Sequence, residues 1–328
     1  MFTFSSKLSM MLAGAILFIA TSCTTSVEQS VSTGKNSEIL VYIDNKLWNS
    51  PVGDSIKSVF MQVQSGLNQP EPMFTLLQLD QLDDLFKKHR NILRVIVNDT
   101  VKEPRLQYSD NVFAKPQSYV EIMASDAKQL IQLLKKGEET LIDKFKHTDF
   151  LRIQRAYKMQ ASIPLQNQII NDFGLSMVIP KSFYLAKSSP GFAWLRLETN
   201  RYSQGLMIYR QDYTGEEMLE TQFLLNWKNL TTTYYIPGEM EGSYMIIDTL
   251  APPAISKTSM NFGDAIEIRG LWITMGDFMG GPYVSVFFTD PDKKYLYGVD
   301  GYVFYPSRDK RDLLLQLEAI IHSVEFAK

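Results

Sequence analysis

The residues able to do chemistry are few and widely scattered. The 328-residue chain holds one cysteine, Cys23, and three histidines, His89, His147 and His322. No HExxH, HxH or CxxC spacing occurs, and a lone cysteine forms neither an intramolecular disulfide nor a cysteine zinc site. A carboxylate-only metal site calls for a DxDxDG-type loop, which the sequence lacks, so neither metal nor cofactor is expected. Glu138–Glu139 and Asp83–Asp84 are neighbours on helical stretches and diverge, whereas acid/base work needs two carboxylates converging on a substrate. The segment "GDSIKS" opens a helix and offers no serine-nucleophile motif. A hydrolase built from this chain would need carboxylates that only the fold brings together.

Three stretches offer binding chemistry. In "WITMGDFMGGPY", Trp272, Phe278 and Tyr283 can line a pocket, Asp277 can supply a polar group, and the glycines allow tight turns. A strand–loop–strand corner whose aromatics fill a core satisfies the same pattern. In "FAWLRLETNRYSQGLMIYRQDY", Trp194, Arg196 and Glu198 share one strand face and Tyr209 and Arg210 stand on the next. That set suits a sugar or peptide, and a cross-strand ion pair is the plainer account. Trp194, Arg196, Tyr209, Trp272, Asp277 and Tyr283 are therefore the candidate ligand surface. Arg308, Lys310 and Arg311 stand at a helix start, with Asp309 expected as its cap. Lys144, Lys146, Arg152, Arg155 and Lys158 form a basic region, either a solvated helix face or a contact for anionic lipid.

The elements that must position these residues divide into two sets. Strands are predicted at Glu38–Asp44, Phe74–Leu79, Asn91–Asp99 and "SYVEIMAS". Between the first two lies a helix with an Ile56, Val59, Phe60, Val63, Leu67 stripe and Asp54 as its expected cap. "QLDDLFKKH" reads as a short helix. A long helical stretch follows from Asp126, broken near Gly137. After Gly174 the pattern changes to successive strands, with one helix predicted over Glu216–Leu230 and a hairpin turned by "DPDKK". The chain closes on an amphipathic helix carrying Leu313, Leu314, Leu317, Ile320, Ile321 and Val324 on one face. The fold class is α+β: two domains, each a mainly antiparallel or mixed sheet with helices on one face. The expected division is 1–22 signal peptide, 23–37 tether, 38–168 first domain and 169–328 second domain, with the boundary near 165–172.

Cys23 has a distinctive setting. Leu8–Ala20 is an apolar run of 13 residues, short of the roughly 20 a spanning helix needs, with Lys7 before it. It reads as a signal-peptide core. Ala20, Thr21 and Ser22 lead into Cys23, and this small-residue run ending in cysteine resembles the lipobox of bacterial lipoproteins. The resemblance implies cleavage before Cys23 and lipidation of its thiol, with palmitate among the acyl chains. Ala20 stands where that motif usually has Leu. The Ser/Thr-rich residues that follow read as a tether.

The stretches "EILVYIDNKLW", "PVGDSIKSVF", "NQPEPMF", "HRNILRVIV" and "DGYVFYPSRDKRDLLLQLEAII" together resemble an uncharacterised lipoprotein family of the Bacteroidota, domain of unknown function 4837, across nearly the whole mature chain. The resemblance implies an envelope lipoprotein and carries no catalytic residues. The second half, from "GLSMVIPKSFYLA" to "IIHSVEF", also loosely resembles the PsbP-like fold, whose members mostly bind or assemble.

Composition is that of a globular protein: 45% hydrophobic and 21% charged, with a net charge of −3, which gives nucleic acid no strongly basic face to bind. The expected role is a non-enzymatic binding or assembly module. It would be anchored in the cell envelope through lipid on Cys23, on the outer membrane facing the periplasm. Its partner would be an envelope protein or polymer. The alternative is a hydrolase of an envelope glycan or peptide, and a small-ligand carrier is a third class.

Overall fold

The computed structural model describes residues 29–327. It is an α+β structure built on two large sheets, with the helices packed against them.

The first sheet comprises β1 (Glu38–Tyr42), β2 (Thr75–Leu79), β3 (Asn91–Val97), β4 (Arg105–Asp110) and β5 (Ser118–Ala124) in the order β2-β1-β3-β5-β4. Its pairs are parallel except β4–β5. Sequence reading missed β4 because "RLQYSD" is an exposed, polar edge strand with no apolar alternation. Helices α1 (Asn45–Trp48), α2 (Pro51–Phe60), α3 (Ala127–Lys136) and α4 (Glu138–Lys158) complete the domain. The cap of α2 is Ser50 rather than Asp54: its Oγ accepts from the Val52 amide at 3.2 Å, and Pro51 takes the first helical position. Gly53 is required where α2 meets α1, since a Cβ there would lie 1.9 Å from the Trp48 carbonyl oxygen. The expected break falls at Gly137, which ends α3 and begins α4. These helices bury their apolar stripes on one sheet face, around Phe60, Phe74 and Phe145. The predicted helix in "QLDDLFKKH" is only a 3-10 turn over Phe86–Lys88.

The second unit begins with α5 (Ile163–Phe173), which the sequence boundary near 165–172 cuts through. Its Ile169 and Phe173 belong to the second core. A short ribbon joins β6 (Leu175–Ser176) to β15 (Glu325–Phe326). The main sheet has β7 (Tyr184–Ser189), β8 (Phe192–Glu198), β9 (Ser203–Asp212), β10 (Tyr244–Ile247), β12 (Gly263–Met275), β13 (Gly280–Thr289) and β14 (Tyr295–Phe304) in the order β10-β12-β13-β14-β9-β8-β7. All its neighbours are antiparallel. The remaining strand, β11 (Ala254–Met260), pairs with the first half of β12, on the side that β10 occupies further along.

Helices cover both faces of this sheet, where the sequence reading placed them on one. α6 (Thr221–Tyr235) lies over Trp194, Tyr209, Trp272 and Tyr283, while α5 and α7 (Arg311–Ile321) lie over Ile208, Val286 and Val299. The strands show it: the inner residues of β13 and β14 are buried without interruption, as expected of a sheet buried on both sides.

The two units are stapled by α4 against α7. Phe150 and Ile153 pack on Leu315 and Ala319, and Gln154 Nε2 donates to the Ala319 carbonyl at 2.8 Å. The cap of α7 is not Asp309. The Glu71 carboxylate, from the first unit, accepts from the Lys310 and Arg311 amides at 2.7 and 2.9 Å. A negative charge at a helix N-terminus is stabilising there because it meets unpaired amides and the positive dipole end.

Candidate functional site

Between the units lies a cleft of about 1120 Å³, walled by α4 on one side and by β11, β12 and α7 on the other. That is slightly larger than a typical small-molecule pocket of about 300–1,000 Å³. At its floor sits Arg269 of β12, a buried guanidinium. Its two terminal nitrogens donate to Glu318 of α7 at 2.8 and 2.7 Å, and its Nε donates to Glu267 at 2.6 Å. The bidentate fork suits a carboxylate geometrically. Gly66, in the left-handed region at φ 77°, lets a loop of the first unit close on this arginine; a Cβ would lie 2.8 Å from Arg269 Cβ. His322 stands 4.0 Å from the second Glu267 oxygen and stacks on Phe150 at 4.8 Å between ring centroids.

Burial opposes ionisation of Glu267 and Glu318, but Arg269 outweighs it. Both carboxyls are held below the usual range, Glu267 with added help from His322 and Glu318 from Lys146. Both are therefore acceptors at neutral pH. Asp143, on the α4 wall, moves the other way: partial burial raises it, opposed by Lys146 and assisted by Glu139 and Glu267. Burial likewise lowers Lys146, and nearby Arg269 lowers it further. Among the described residues Lys146 makes neither a hydrogen bond nor a contact ion pair. No group of three or more His, Cys, Asp or Glu side chains among the described residues is placed to hold a metal ion.

The candidate ligand surface does not form. Trp194, Tyr209, Trp272 and Tyr283 are core residues between the second sheet and α6. Both faces of the sheet are covered around these four residues, and on β8 only the end at Arg196 and Glu198 reaches solvent. Arg196 lies over the Trp194 ring at 4.9 Å and pairs with Glu198 on its own strand. Asp277 is half-buried and tethers a loop, accepting from the Glu239 amide at 2.9 Å. The basic region disperses as well. Lys144 pairs with Asp110 at 2.7 Å, Arg152 donates to the Ser32 carbonyl, and Lys144 and Lys146 both line the cleft. Arg311 donates to the Pro72 carbonyl and Lys310 is buried. Cys23 and the apolar run before it lie outside the described residues. No described helix is long and apolar enough to cross a membrane.

Beneath α6 a second charged cluster is sealed in the core. Lys228 Nζ donates to Asp300 at 2.6 Å and sits 4.1 Å from the Tyr283 ring centroid, and Tyr209 donates to the same carboxylate oxygen at 3.1 Å. The side chains of Lys228 and Asp300 are 2% and 0% exposed, so the pair acts as an internal staple.

Glu267, Arg269 and Glu318 were not singled out from sequence, although signals existed. Glu318 interrupts the apolar stripe of α7, and Arg269 and Glu267 share the phase of buried Ala265 on β12. A charge on a buried stripe requires a partner.

The chain is thus a two-domain α+β protein with a charged cleft between its domains. Residues 162–323 match the family described as a domain of unknown function, DUF4837, and residues 32–158 match a second, DUF8532. The second domain matches the model of DUF4837, the family the sequence resembles, and the likeness expected across nearly the whole chain divides between these two families. No curated protein matches. A crystal structure from Bacteroides thetaiotaomicron VPI-5482 is similar over 47% of this chain at 10% identity and a TM-score of 0.22; this chain spans 45% of that one.

Proposed function

We propose that this protein is a lipid-anchored envelope lipoprotein, held through Cys23 on the outer membrane facing the periplasm, and that its interdomain cleft is a binding site. Its role is binding or assembly. One observation carries the binding site: a cleft of about 1120 Å³ whose floor charges are mutually paired while Lys146 on its wall is left without a contact partner. With Arg269 fixed between Glu267 and Glu318, the floor is pre-organised and needs no ligand to complete it. The anchor rests on the short apolar run ending at Cys23.

A photo-crosslinking residue in place of Ser256, on the cleft wall, should yield adducts in intact cells, and one at exposed Tyr234 on α6 should not. Equal labelling at both would end the cleft reading. Cys23→Ala should abolish labelled-palmitate uptake and membrane retention; retention with full labelling would end the anchor reading.

One feature favours the hydrolase reading. Asp143 and Glu267, electrostatically coupled in the same cleft, have pKa values pushed in opposite directions, the division acid/base pairs use. Turnover of an envelope glycan or peptide that Asp143→Asn abolishes would establish it.

A further inference from the structure

The cleft wall opposite α4 is the free edge of a strand. Six consecutive residues, 254–259, line the cleft. Side chains alternate along a strand, so only its backbone edge presents every residue to one cavity. Among the described residues β11 pairs with β12 alone.

The register identifies the groups left open. The turn at Asn261 and Phe262 closes on the pair Met260–Gly263. A two-residue hairpin loop closes on a hydrogen-bonded pair, and hydrogen-bonded and non-bonded pairs then alternate. Thr258, Ser256 and Ala254 therefore spend their backbone groups on β12. Ser259, Lys257 and Ile255 aim theirs into the cleft, where no described residue hydrogen-bonds to them. Isolated edge strands of this kind are usually blunted or covered. This one borders the cleft and is largely exposed, so its edge is open to an extended chain. The facing wall supplies Lys146, a cation with no contact partner, while Arg269 is already matched by two carboxylates.

We propose that the cleft takes an extended peptide bearing a carboxylate, which adds to β11 as a further strand through the backbone of Ile255, Lys257 and Ser259 and sets its carboxylate against Lys146. This rests on the reading of the cleft as the binding site. Main-chain pairing would give affinity with loose sequence preference, and Lys146 would give the preference for acid.

The test begins with random twelve-residue peptides displayed on phage and selected against the chain without its first 23 residues. Selected peptides are then synthesised and titrated by fluorescence anisotropy. Lys257→Pro removes an outward amide that β12 does not use, a position where an edge strand tolerates proline. It should weaken binding about tenfold or more, as expected for a lost backbone hydrogen bond plus a blocked edge, with the melting temperature held. Lys257→Ala should leave affinity within about threefold. N-methylation of alternate peptide amides should abolish binding in one phase and spare it in the other, a readout that stands even if the proline variant fails to fold. Lys146→Gln should weaken acidic peptides about tenfold and leave their amidated analogues unchanged. Peptides that bind in the cleft but ignore both N-methylation and Lys257→Pro would overturn strand addition and leave the cleft reading intact. So would a glycan that binds where no peptide does. Peptides that bind elsewhere, unaffected by every cleft substitution, would overturn both.

Discussion

Replacing Arg269 with methionine should unfold the second domain at mild denaturant. The guanidinium makes three hydrogen bonds of 2.6 to 2.8 Å to two carboxylates, and both side chains are nearly enclosed, Glu267 at 12% and Glu318 at 6% exposure. Removing one partner of a buried ion pair costs about 3–5 kcal/mol, because the other charge stays buried and unpaired. Here two charges are stranded, and the upper end of that range applies at pH 7. For a domain of this size the loss corresponds to roughly 10–20 °C in melting temperature. The pH dependence is the sharper signature. In the native protein Glu267 and Glu318 have folded pKa values below their unfolded 4.5. Their stabilisation is present above that pH and lost as pH falls through the folded values. Without Arg269, burial raises both carboxyls, so the folded variant is relieved by protonation as pH falls. The two stability curves should converge on acidification. Urea unfolding of both proteins at pH 7 and near pH 4 measures this. A penalty below about 1 kcal/mol at pH 7, the value of a solvent-exposed pair, or one that does not shrink near pH 4, would refute the reasoning.

Three further outcomes follow from other parts of the molecule. Glu71→Ala uncaps α7 across the domain junction and should cost about 1–2 kcal/mol in urea unfolding, with faster amide exchange at Lys310 and Arg311, whose amides it holds. Burial pushes Asp149 up to about 6 against the pull of Arg90 and the Ser37 amide, so its stabilising contribution is greatest below its unfolded value and falls as pH rises through about 6. Asp149→Asn should accordingly show a flatter loss of stability than wild type between pH 4 and 7. Gly53→Ala drives a Cβ into the Trp48 carbonyl and should destabilise the first domain by about 1–3 kcal/mol by thermal melt.

What sequence could locate depended on which pattern a segment obeys. Ile56, Val59 and Phe60, and Leu314, Leu317 and Ile321, are buried as their spacing requires, whereas α2 ends at Phe60 and leaves Val63, expected on the same stripe, exposed. Two of the strands that escaped notice, β4 and β11, are polar edge strands whose pairing depends on a neighbour and not on an apolar period. The candidate surface failed for the converse reason. Trp194 and Tyr209 alternate as a half-exposed strand would, and nothing local reveals that α6 lies on that face.

By itself, then, the sequence determined the α+β class, the amphipathic helix that closes the second domain and the isolation of Cys23 behind a short apolar run. These are properties of local spacing, composition and chain position. Only the tertiary structure decided the cleft. Lys146, Glu267, Arg269 and Glu318 span 172 residues of sequence between first and last, and no periodicity links them. Packing α4 on α7 brings them together. The physical reason is that a buried charge is tolerable only beside its counter-charge, and where that counter-charge sits depends on how the two domains dock.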